Sequence, residues 1–448
     1  MRTVLGGLAA LLLGAAAYAA AASMPPHRGL PGPGALDPAS VDLAPADPRP
    51  RDVRPAQGDN LATIQAACDT FHPYFAVSRF VRVASRRDAP EAPAIVAVRD
   101  SDPDDPSTEL ALATHGDVGA VYGLAYDAAR GILYAGAYNK RATAFGPGGP
   151  GQVYAIDLAT GNVRRLAALF GGRDAHDYIR QQDQPAATIV GRTSLADIDL
   201  DDTGATLFVM NMAEGKIYRL STADGTVLGS FDHGGADYDW KRNARPFGLG
   251  FHDGWLYHGV VNSLEFSGGT LEAFVFRSRP DGSDMQEVVR IALRYPRYLT
   301  WAAWSDGPAQ FPGAGSFMAF DAQPLLSDVE FLPAGELILG FRDRVTDMIP
   351  GLDRRNPRHP GTGDVIPVRY SDGLWAAITD PEFFIDQAYF DEAAFGALAL
   401  LPGFPLSVSA AQGVAGRNDV GALWFWNGHG AIAARESIET YNYNAQRY

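Results

Sequence analysis

One two-strand unit recurs along this chain, and it restricts the fold more than any other feature of the sequence. The unit is clearest in residues 120–157, AVYGLAYDAARGILYAGAYNKRATAFGPGGPGQVYAID. Apolar residues alternate in Val121–Tyr126 and again in Ile132–Tyr138, with a turn at Asp127–Gly131 between them. A third alternating run, Gln152–Leu158, follows a loop rich in glycine and proline. Alternation with a period of two, broken by turn residues, predicts a β-meander.

Further copies of this unit follow at irregular distances. The copies read YGLAYDAARGILYAGAYN (122–139), ADIDLDDTGATLFVMNMA (196–213), FGLGFHDGWLYHGVVN (247–262) and SDVEFLPAGELILGFRD (327–343), with a weaker GALALLPGFPLSVSAAQ (396–412). The matching residues Leu133, Leu207, Leu256 and Leu337 are separated by 74, 49 and 81 positions. The middle spacing fits one four-stranded propeller blade, whereas the two larger spacings require insertions.

The repeats predict an all-β fold, namely a single β-propeller of about six or seven four-stranded blades with loop insertions. A β-sandwich array is the alternative. The segment Leu61–Arg99 supplies two more predicted strands, Phe75–Ala84 and Ala94–Arg99. Helices are expected only in insertions such as Asp174–Gln182 and Pro381–Glu392.

The N-terminal region predicts export. Arg2 precedes the apolar stretch Val4–Ala22, which contains an A-x-A cleavage pattern, so residues 1–22 are interpreted as a signal peptide. Residues 23–58 are rich in proline and are interpreted as a linker, which leaves residues 59–448 for the propeller domain. We therefore expect a periplasmic or extracellular protein with no transmembrane segment after signal cleavage.

Charge and cysteine content narrow the possible partners and cofactors. The formal net charge is −15, and the lysines are Lys140, Lys216 and Lys241. The absence of a basic stripe argues against nucleic-acid binding. The single cysteine, Cys68, excludes an intrachain disulfide and a zinc site built from several cysteines. The sequence therefore gives no sign of a bound cofactor, with Ca²⁺ as the one candidate kept open.

Several phrases of the repeats resemble a known group of proteins. GLAYDAARGILYAGAYNKR, FGPGGPGQVYAIDLATG and LSDVEFLPAGELILGFRDR are similar to phrases in secreted bacterial β-propeller proteins of the YVTN/WD40-like superfamily. The GPGG and GFRDR phrases are the most specific, and the resemblance covers residues 119–426. It implies a propeller and export, and hardly any particular activity, because the group is largely uncharacterised.

The repeat alignment also predicts a functional face. The first two strands of a blade are antiparallel, so the start of the first and the end of the second lie at the same face of the propeller. Polar residues at these positions, with the basic residues beside them, form the set of candidate ligand-face residues. They are Asn139, Lys140, Arg141, Asp197, Asn211, Asn262, Asp328, Arg342, Asp343 and Arg344.

Two interpretations of the acidic residues in this set stay open. Carboxylates packed between blades need partners, and carboxylate–arginine pairs that hold blades together are favoured. The alternative is a divalent-cation site, for Ca²⁺ or a similar ion, whose metal ligands would be Asp197, Asp328, Asn139 and Asn262. His176 and Asp177 form a candidate acid–base pair, although no nucleophile stands beside them in the sequence.

The sequence favours a non-enzymatic, exported propeller that binds a protein or a polysaccharide through its insertion-bearing face. The alternative is a metal-dependent hydrolase of the lactonase kind, in which a cation at the mouth of the channel would polarise a carbonyl group. Whether the chain is an enzyme stays open, with a binding role preferred, because no G-x-S-x-G or H-E-x-x-H motif is present. Trp301, Trp304, Trp424 and Trp426 are expected to pack within blades, with exposed aromatic contacts as the alternative for Trp301 and Trp304, which lie between two prolines.

Overall fold

A computed structural model describes residues 60–68, 74–81, 90–99, 109–178, 183–297, 300–310, 321–332, 335–349, 363–379, 394–400, 406–412, 419–426 and 432–440. The predicted signal peptide, the linker and the predicted helical insertion Pro381–Glu392 lie outside these residues. Across the described part of the chain, none of the helices has the length and apolar character needed to cross a membrane.

The described chain forms six antiparallel sheets that follow one another in sequence. The first sheet has three strands, β1 (Tyr74–Ser78), β2 (Pro93–Arg99) and β3 (Glu109–Thr114). The second has β4 (Val121–Asp127), β5 (Ile132–Ala137), β6 (Gln152–Asp157) and β7 (Val163–Ala168). The third has β8 (Leu195–Leu200), β9 (Thr206–Asn211), β10 (Lys216–Ser221) and β11 (Val227–Asp232).

The remaining three sheets also have four strands each. The fourth consists of β12 (Ala244–His252), β13 (Trp255–Asn262), β14 (Glu272–Ser278) and β15 (Gln286–Ala292). The fifth consists of β16 (Pro324–Phe331), β17 (Leu337–Asp343), β18 (Asp364–Ser371) and β19 (Leu374–Ala377). The sixth consists of β20 (Ala394–Leu400), β21 (Leu406–Gln412), β22 (Asp419–Trp426) and β23 (Ile432–Thr440).

The first strands of the four-stranded sheets pack side by side around a common centre. Strand β4 contacts β8, β8 contacts β12, β12 contacts β16 and β16 contacts β20, while each sheet runs outward in strand order. Successive meanders that meet through their first strands form the arrangement of a β-propeller. The predicted β-meander and its recurrence are confirmed, since each predicted pair of strands is the inner pair of one sheet.

A local irregularity recurs in these first strands and explains two glycines. In all five four-stranded sheets, the pairing of the first two strands shifts register near the start of the first strand. At these places neighbouring first strands nearly touch. A Cβ atom on Gly123 would lie 2.7 Å from backbone atoms of β8, and one on Gly248 would lie 2.7 Å from the amide nitrogen of Asp328. Glycine is therefore required by the close approach of two backbones.

Apolar side chains fill the spaces between neighbouring sheets. The largest cluster joins the fourth sheet to the fifth, through residues such as Val261, Val275, Leu326, Leu339 and Phe341. Comparable clusters join the first sheet to the second and the second to the third. The sheets are therefore held in place by continuous apolar contact, as expected for the inward-facing residues of alternating strands.

Helices in the described residues are short, and all but the first lie in connections between strands, which agrees with the expectation that helices are confined to insertions. They are α1 (Asn60–Cys68), α2 (His115–Val118), α3 (Gln184–Ala187) and α4 (Arg344–Met348). Residues 174–178 of one predicted insertion are not helical. Trp301 and Trp304 are only 4% and 3% exposed, so the favoured expectation of packed tryptophans is confirmed for these two, and the alternative of exposure was wrong. Their indole N–H groups donate to Tyr295 and to the carbonyl of Pro324, which keeps both rings inside.

The connections between strands are divided unequally between the two faces of the molecule. Connections after the second and fourth strands emerge at the face that we call the loop face, and their described residues include 138–151, 169–178, 183–194, 233–243, 293–297, 300–310 and 321–323. Connections after the first and third strands emerge at the opposite turn face. In the second to fifth sheets these turns are short, for example residues 253–254 and 372–373. The sheet topology therefore collects the long segments on one side.

Candidate functional site

The loop face is built from segments that belong to different sheets and that brace one another. Helix α3 and the turn Gly307–Gln310 both contact α4, although these elements lie in three separate connections. Arg141 donates to the carbonyls of Ala309 and Met348, which joins the second sheet to two of these segments. The long loops are therefore fixed to one another.

The centre of this bracing is a buried carboxylate, Asp347, which is fully shielded from solvent. Arg342 donates to it through Nε at 2.6 Å and Nη2 at 2.5 Å, Tyr138 donates its hydroxyl at 2.7 Å, and Lys140 pairs with it directly. We call these four residues the axial junction. Burial opposes ionisation of Asp347, but Arg342 and Lys140 hold the pKa of its carboxyl well below the ordinary value. Burial also lowers the pKa of Lys140 to about 8, although Asp347 acts against this shift.

Aromatic rings enclose the cations of the axial junction. Lys140 Nζ lies 5.0 Å from the ring centre of Phe80, and the guanidinium carbon of Arg342 lies 5.5 Å from that of Tyr122. Phe247 completes the group, with its ring 5.0 Å from Tyr122 and perpendicular to it. The faces of aromatic rings stabilise positive charge, so this environment partly offsets the burial of two cations.

A second group of charges, the arginine network, lies nearer the surface of the same face. Its members are Arg192, Arg245, Glu265, Asp306 and Arg344. Glu265 accepts from Arg192 at 2.6 Å and pairs with Arg245. Asp306 is contacted by Arg192 at 3.0 Å and by Arg344 at 3.2 Å. Burial would raise the pKa of Glu265, but its two arginines hold it below the ordinary value.

A third group consists of four carboxyls near the centre of the sheets, which we call the axial carboxyls. They are Asp197 and Asp199 on β8, with Asp328 and Glu330 on β16. The favoured prediction, pairing of Asp197 and Asp328 with arginines, was wrong. Asp197 accepts from the backbone amides of Ile198 and Leu249 at 3.0 and 2.9 Å, and Asp328 accepts from that of Leu398 at 2.7 Å.

The axial carboxyls join neighbouring sheets through the backbone instead of through arginines. Asp199 repeats the pattern of Asp197, accepting from Leu200 at 2.7 Å and from Phe251 of the next sheet at 2.6 Å. Burial raises the pKa of Asp199 to about 6. Burial and the neighbouring carboxyls also raise the pKa values of Asp197, Asp328 and Glu330 well above their ordinary range.

The predicted ligand-face residues lie either among the axial carboxyls, as Asp197 and Asp328 do, or in the segments of the loop face. Asn139, Lys140, Arg141, Arg342, Asp343 and Arg344 are all at most 3% exposed and form part of the braced interior of the loop face. The Asp343 carboxylate accepts from the amides of Gln323 and Val345, both at 2.9 Å, and thereby caps the first turn of α4. Asn211 donates to the carbonyl of Phe170 at 2.9 Å. These side chains position the loops and do not project from them.

The four predicted metal ligands are distributed over different parts of this region. Asp197 and Asp328 are close enough that the charge of Asp197 raises the pKa of Asp328. Asn139 and Asn262 lie at the loop-face ends of their strands, and each has a buried side-chain oxygen without a hydrogen-bond partner among the described residues. Within the same part of the chain, no group of three or more histidine, cysteine or acidic side chains is placed to hold a metal ion. The mixed Asp/Asn set for Ca²⁺ stays a prediction.

His176 has a different acidic partner from the one suggested by sequence. Its Nδ1 lies 2.6 Å from the carboxylate of Asp183, which also accepts from the amides of Ala142 and Asp177. The imidazole stacks on Tyr178, with ring centres 5.3 Å apart. Asp183 therefore fixes the loop of residues 172–178 against the loop after β5.

Sequence reasoning missed the acidic residues that organise this face, namely Asp347, Glu265, Asp306 and Asp183. It also missed Phe266, an exposed aromatic residue on the loop after β13. One signal was available for Asp347, because it follows the GFRDR phrase by three residues. A segment this short cannot shield a charged side chain from solvent without partners from other parts of the chain. The others come from loops without a repeat pattern.

Comparison with known proteins gives remote similarities. No known protein-family profile matches the chain. Among curated proteins, Colossin-D of Dictyostelium discoideum is 25% identical over 252 residues, and Colossin-C of the same organism is 26% identical over 262 residues. Each alignment covers 53% of this chain, but only 26% of Colossin-D and 25% of Colossin-C. The chain thus matches about a quarter of the length of these relatives.

Solved structures give likenesses of the same remoteness. A chain of the nidogen/laminin complex superposes with a TM-score of 0.42 at 12% identity, covering 81% of this chain and 93% of that chain. The periplasmic gluconolactonase of Pseudomonas aeruginosa gives 0.40 at 11% identity, covering 81% and 94%. The hydrazine synthase of Kuenenia stuttgartiensis gives 0.39 at 12% identity, covering 77% and 76%. These values carry no conclusion about what the chain binds or does.

Proposed function

We propose that this chain is an exported, non-enzymatic β-propeller of six blades that binds a protein or polysaccharide ligand through its loop face. The three-stranded first sheet is the sixth blade beside the five four-stranded sheets. Export follows from the predicted signal peptide, and the remainder of the proposal rests on the construction of the loop face.

The observation that carries this proposal is that the long connections share one face and are braced there by charged side chains. Lys140 and Arg342 hold Asp347 at the axial junction, while Arg344 donates to the carbonyls of Val190 and Ser305 at 2.9 and 3.1 Å. Burying this many charges is unfavourable unless each is paired. Closing the loops would not by itself require so many buried charges, so the bracing supports a function for the fixed loops.

Fixed loops are an advantage for binding. A loop that is ordered before the ligand arrives loses less conformational entropy in the complex than a mobile loop does. Binding residues are also found more often on loops that a rigid scaffold positions than on the scaffold itself. The exposed aromatic residues Phe170 and Phe266, 66% and 54% exposed, lie on the loop face and supply contact area there.

The proposal is tested by comparing exposed apolar residues on the two faces. Phe170→Ser with Phe266→Ser alters the loop face, and Tyr370→Ser with Leu374→Ser is the matched pair at the turn face, where these residues are 56% and 71% exposed. Each double variant and the wild type are assayed by solid-phase binding to purified polysaccharides and to isolated cell-surface proteins. We expect the loop-face pair alone to lose binding. Equal binding by both variants, or loss only in the turn-face pair, would contradict the proposal.

A further inference from the structure

Two connections of the fourth sheet place a pair of cations beside an exposed aromatic ring. The cations are Lys241 and Arg242, which lie in the helical turn Lys241–Asn243 before β12. The ring is that of Phe266, on the loop between β13 and β14. Both segments belong to the loop face, and we call Lys241, Arg242 and Phe266 the basic–aromatic patch.

The ring of Phe266 is held in its exposed position. The backbone amide of Phe266 donates to the side-chain oxygen of Asn243 at 2.9 Å, and the Asn243 side-chain nitrogen donates to the hydroxyl of Ser267 at 2.7 Å. Asn243 is itself buried, with 1% of its surface exposed. The preceding residue, Glu265, is anchored by two members of the arginine network. The ring is therefore presented to solvent by a fixed backbone.

The two cations of the patch are exposed, and neither forms an ion pair with any described residue. The guanidinium carbon of Arg242 lies 5.1 Å from the ring centre of Phe266. Arg245 approaches the same ring to 5.7 Å, but Glu265 already neutralises it. Asp237 and Asp239 are exposed on the same connection, but neither forms an ion pair with Lys241 or Arg242 among the described residues.

The surroundings of the ring are open to solvent. Residues 267–270, Ser-Gly-Gly-Thr, are all exposed, and a Cβ atom on Gly268 would meet nothing within 4 Å. An apolar peptide anchor requires a pocket to fill, as binding hot spots do. A sugar ring requires only an aromatic face against which its C–H groups can lie, together with charged or polar groups at its edge.

We propose that the basic–aromatic patch of Lys241, Arg242 and Phe266 binds a polysaccharide that carries carboxylate groups, such as a polyuronate. This inference rests on the proposed function and names its ligand class. One sugar ring lies on Phe266, and its carboxylate accepts from the planar guanidinium of Arg242, which suits two parallel hydrogen bonds. Lys241 meets the carboxylate of a neighbouring sugar. Because both cations are exposed, binding weakens as salt concentration rises.

The test uses the purified protein and oligomers of polygalacturonate, with binding measured by calorimetry. We expect Phe266→Ala and Arg242→Gln each to weaken binding by about tenfold or more, the loss that corresponds to one good charged contact. The matched controls are Tyr370→Ala, an exposed ring at the turn face, and Arg290→Gln, whose guanidinium carbon lies 4.8 Å from the ring of Phe274 on the fourth sheet. Both controls should bind as the wild type does.

Ligand variants separate the sources of affinity. Methyl-esterified polygalacturonate, which keeps the sugar rings without the charge, should bind weakly, and poly-glutamate should not compete. Equal affinity for poly-glutamate would overturn the choice of a polysaccharide, and unchanged affinity in the two patch variants would overturn the site. If polygalacturonate does not bind but the loop-face double variant still loses its solid-phase binding, this inference fails while the proposed function stands.

Discussion

Asp347 shows how much of this molecule depends on a single side chain. Its two oxygens accept from Arg342, Lys140 and Tyr138, which come from the ends of two strands in different sheets. The single negative charge of this carboxylate is shared by two buried cations that repel each other. Among the four residues of the axial junction, substitution of Asp347 should therefore lower stability the most.

We expect Asp347→Asn to lower the free energy of unfolding by about 3–5 kcal/mol, because it leaves buried cations without their counter-charge. Urea denaturation measures this difference. The control is Asp232→Asn, since Asp232 and Lys216 pair where their side chains are 64% and 39% exposed, and a loss of about 1 kcal/mol or less is expected there. Equal losses of unfolding free energy in the two variants would show that burial of the ion pair does not determine the size of the loss.

Gly204 is a residue whose role the sequence predicted as structural. Its φ is +67°, and an added Cβ atom would lie 2.7 Å from Arg130 and 3.0 Å from the carboxylate of Asp127. We expect Gly204→Val to lower the free energy of unfolding by about 1–3 kcal/mol through backbone strain. Gly268→Val, in open space and without a positive φ, is the control and should unfold as the wild type does.

Strands β8 and β16 carry four buried carboxyls, and those of Asp197, Asp199 and Asp328 accept from backbone amides of a neighbouring sheet. The pKa values of these groups are raised in the folded protein, so their contribution to stability is present at low pH and is lost as the pH rises through the folded values. For Asp199, whose folded pKa is about 6, the loss begins near the ordinary value of about 4 and is largely complete above 6.

We expect Glu330→Gln to raise the melting temperature at pH 8 and to change it little at pH 4, because it removes one of several charges that repel one another when ionised. Burial is the largest cause of the raised pKa of Glu330, followed by repulsion from Asp328 and Asp199. Melting curves between pH 4 and pH 8 test this expectation. Glu91→Gln, at an exposed position, is the control. A variant less stable than the wild type at pH 8 would contradict it.

The axial carboxyls also allow a test of whether the protein holds a divalent cation. Asp197 already uses both oxygens as acceptors for backbone amides, and a divalent cation would compete with these bonds. We therefore expect a chelator to leave the melting temperature unchanged. A drop that added Ca²⁺ reverses, and that Asp328→Asn abolishes, would instead support the predicted cation site and favour a lactonase-like activity.

At the scale of the whole molecule, the N-terminal helix belongs to the fold although the preceding segment was predicted to be a linker. In α1, the Asn60 side chain donates to the carbonyl of Ala111 at 3.2 Å, the Leu61 amide donates to Leu158 at 2.9 Å, and Ile64 is buried against the first two sheets. The helix therefore covers turn-face ends of these sheets.

We expect deletion of residues 1–55 to leave the melting temperature unchanged, whereas deletion of residues 1–68 should lower it. The reason is that only the longer deletion removes the contacts of Asn60, Leu61 and Ile64. Thermal unfolding of the two shortened chains measures the difference. If both deletions had the same effect, α1 would contribute nothing to the stability of the folded protein.

The sequence predicted the strands far better than it predicted the site. Alternation located the inner pairs of strands and β6, because each depends on neighbouring residues only. It did not locate β3, the hairpin of β18 and β19, or α1. The pairing of Lys140 with Asp347 joins residues 207 positions apart, and no local pattern encodes such a distance. Pairing of Asp197 and Asp328 with arginines was a reasonable expectation, but backbone amides of the adjoining sheet lie closer.

The unequal division of connections between the two faces has a consequence for how such a protein changes over evolutionary time. A hairpin such as residues 253–254 leaves no slack, so an inserted residue there would disturb the pairing of two strands. A long connection such as residues 169–194 can lengthen at small entropic cost while the sheets keep their register. One face can therefore acquire new specificities while the other conserves the shape.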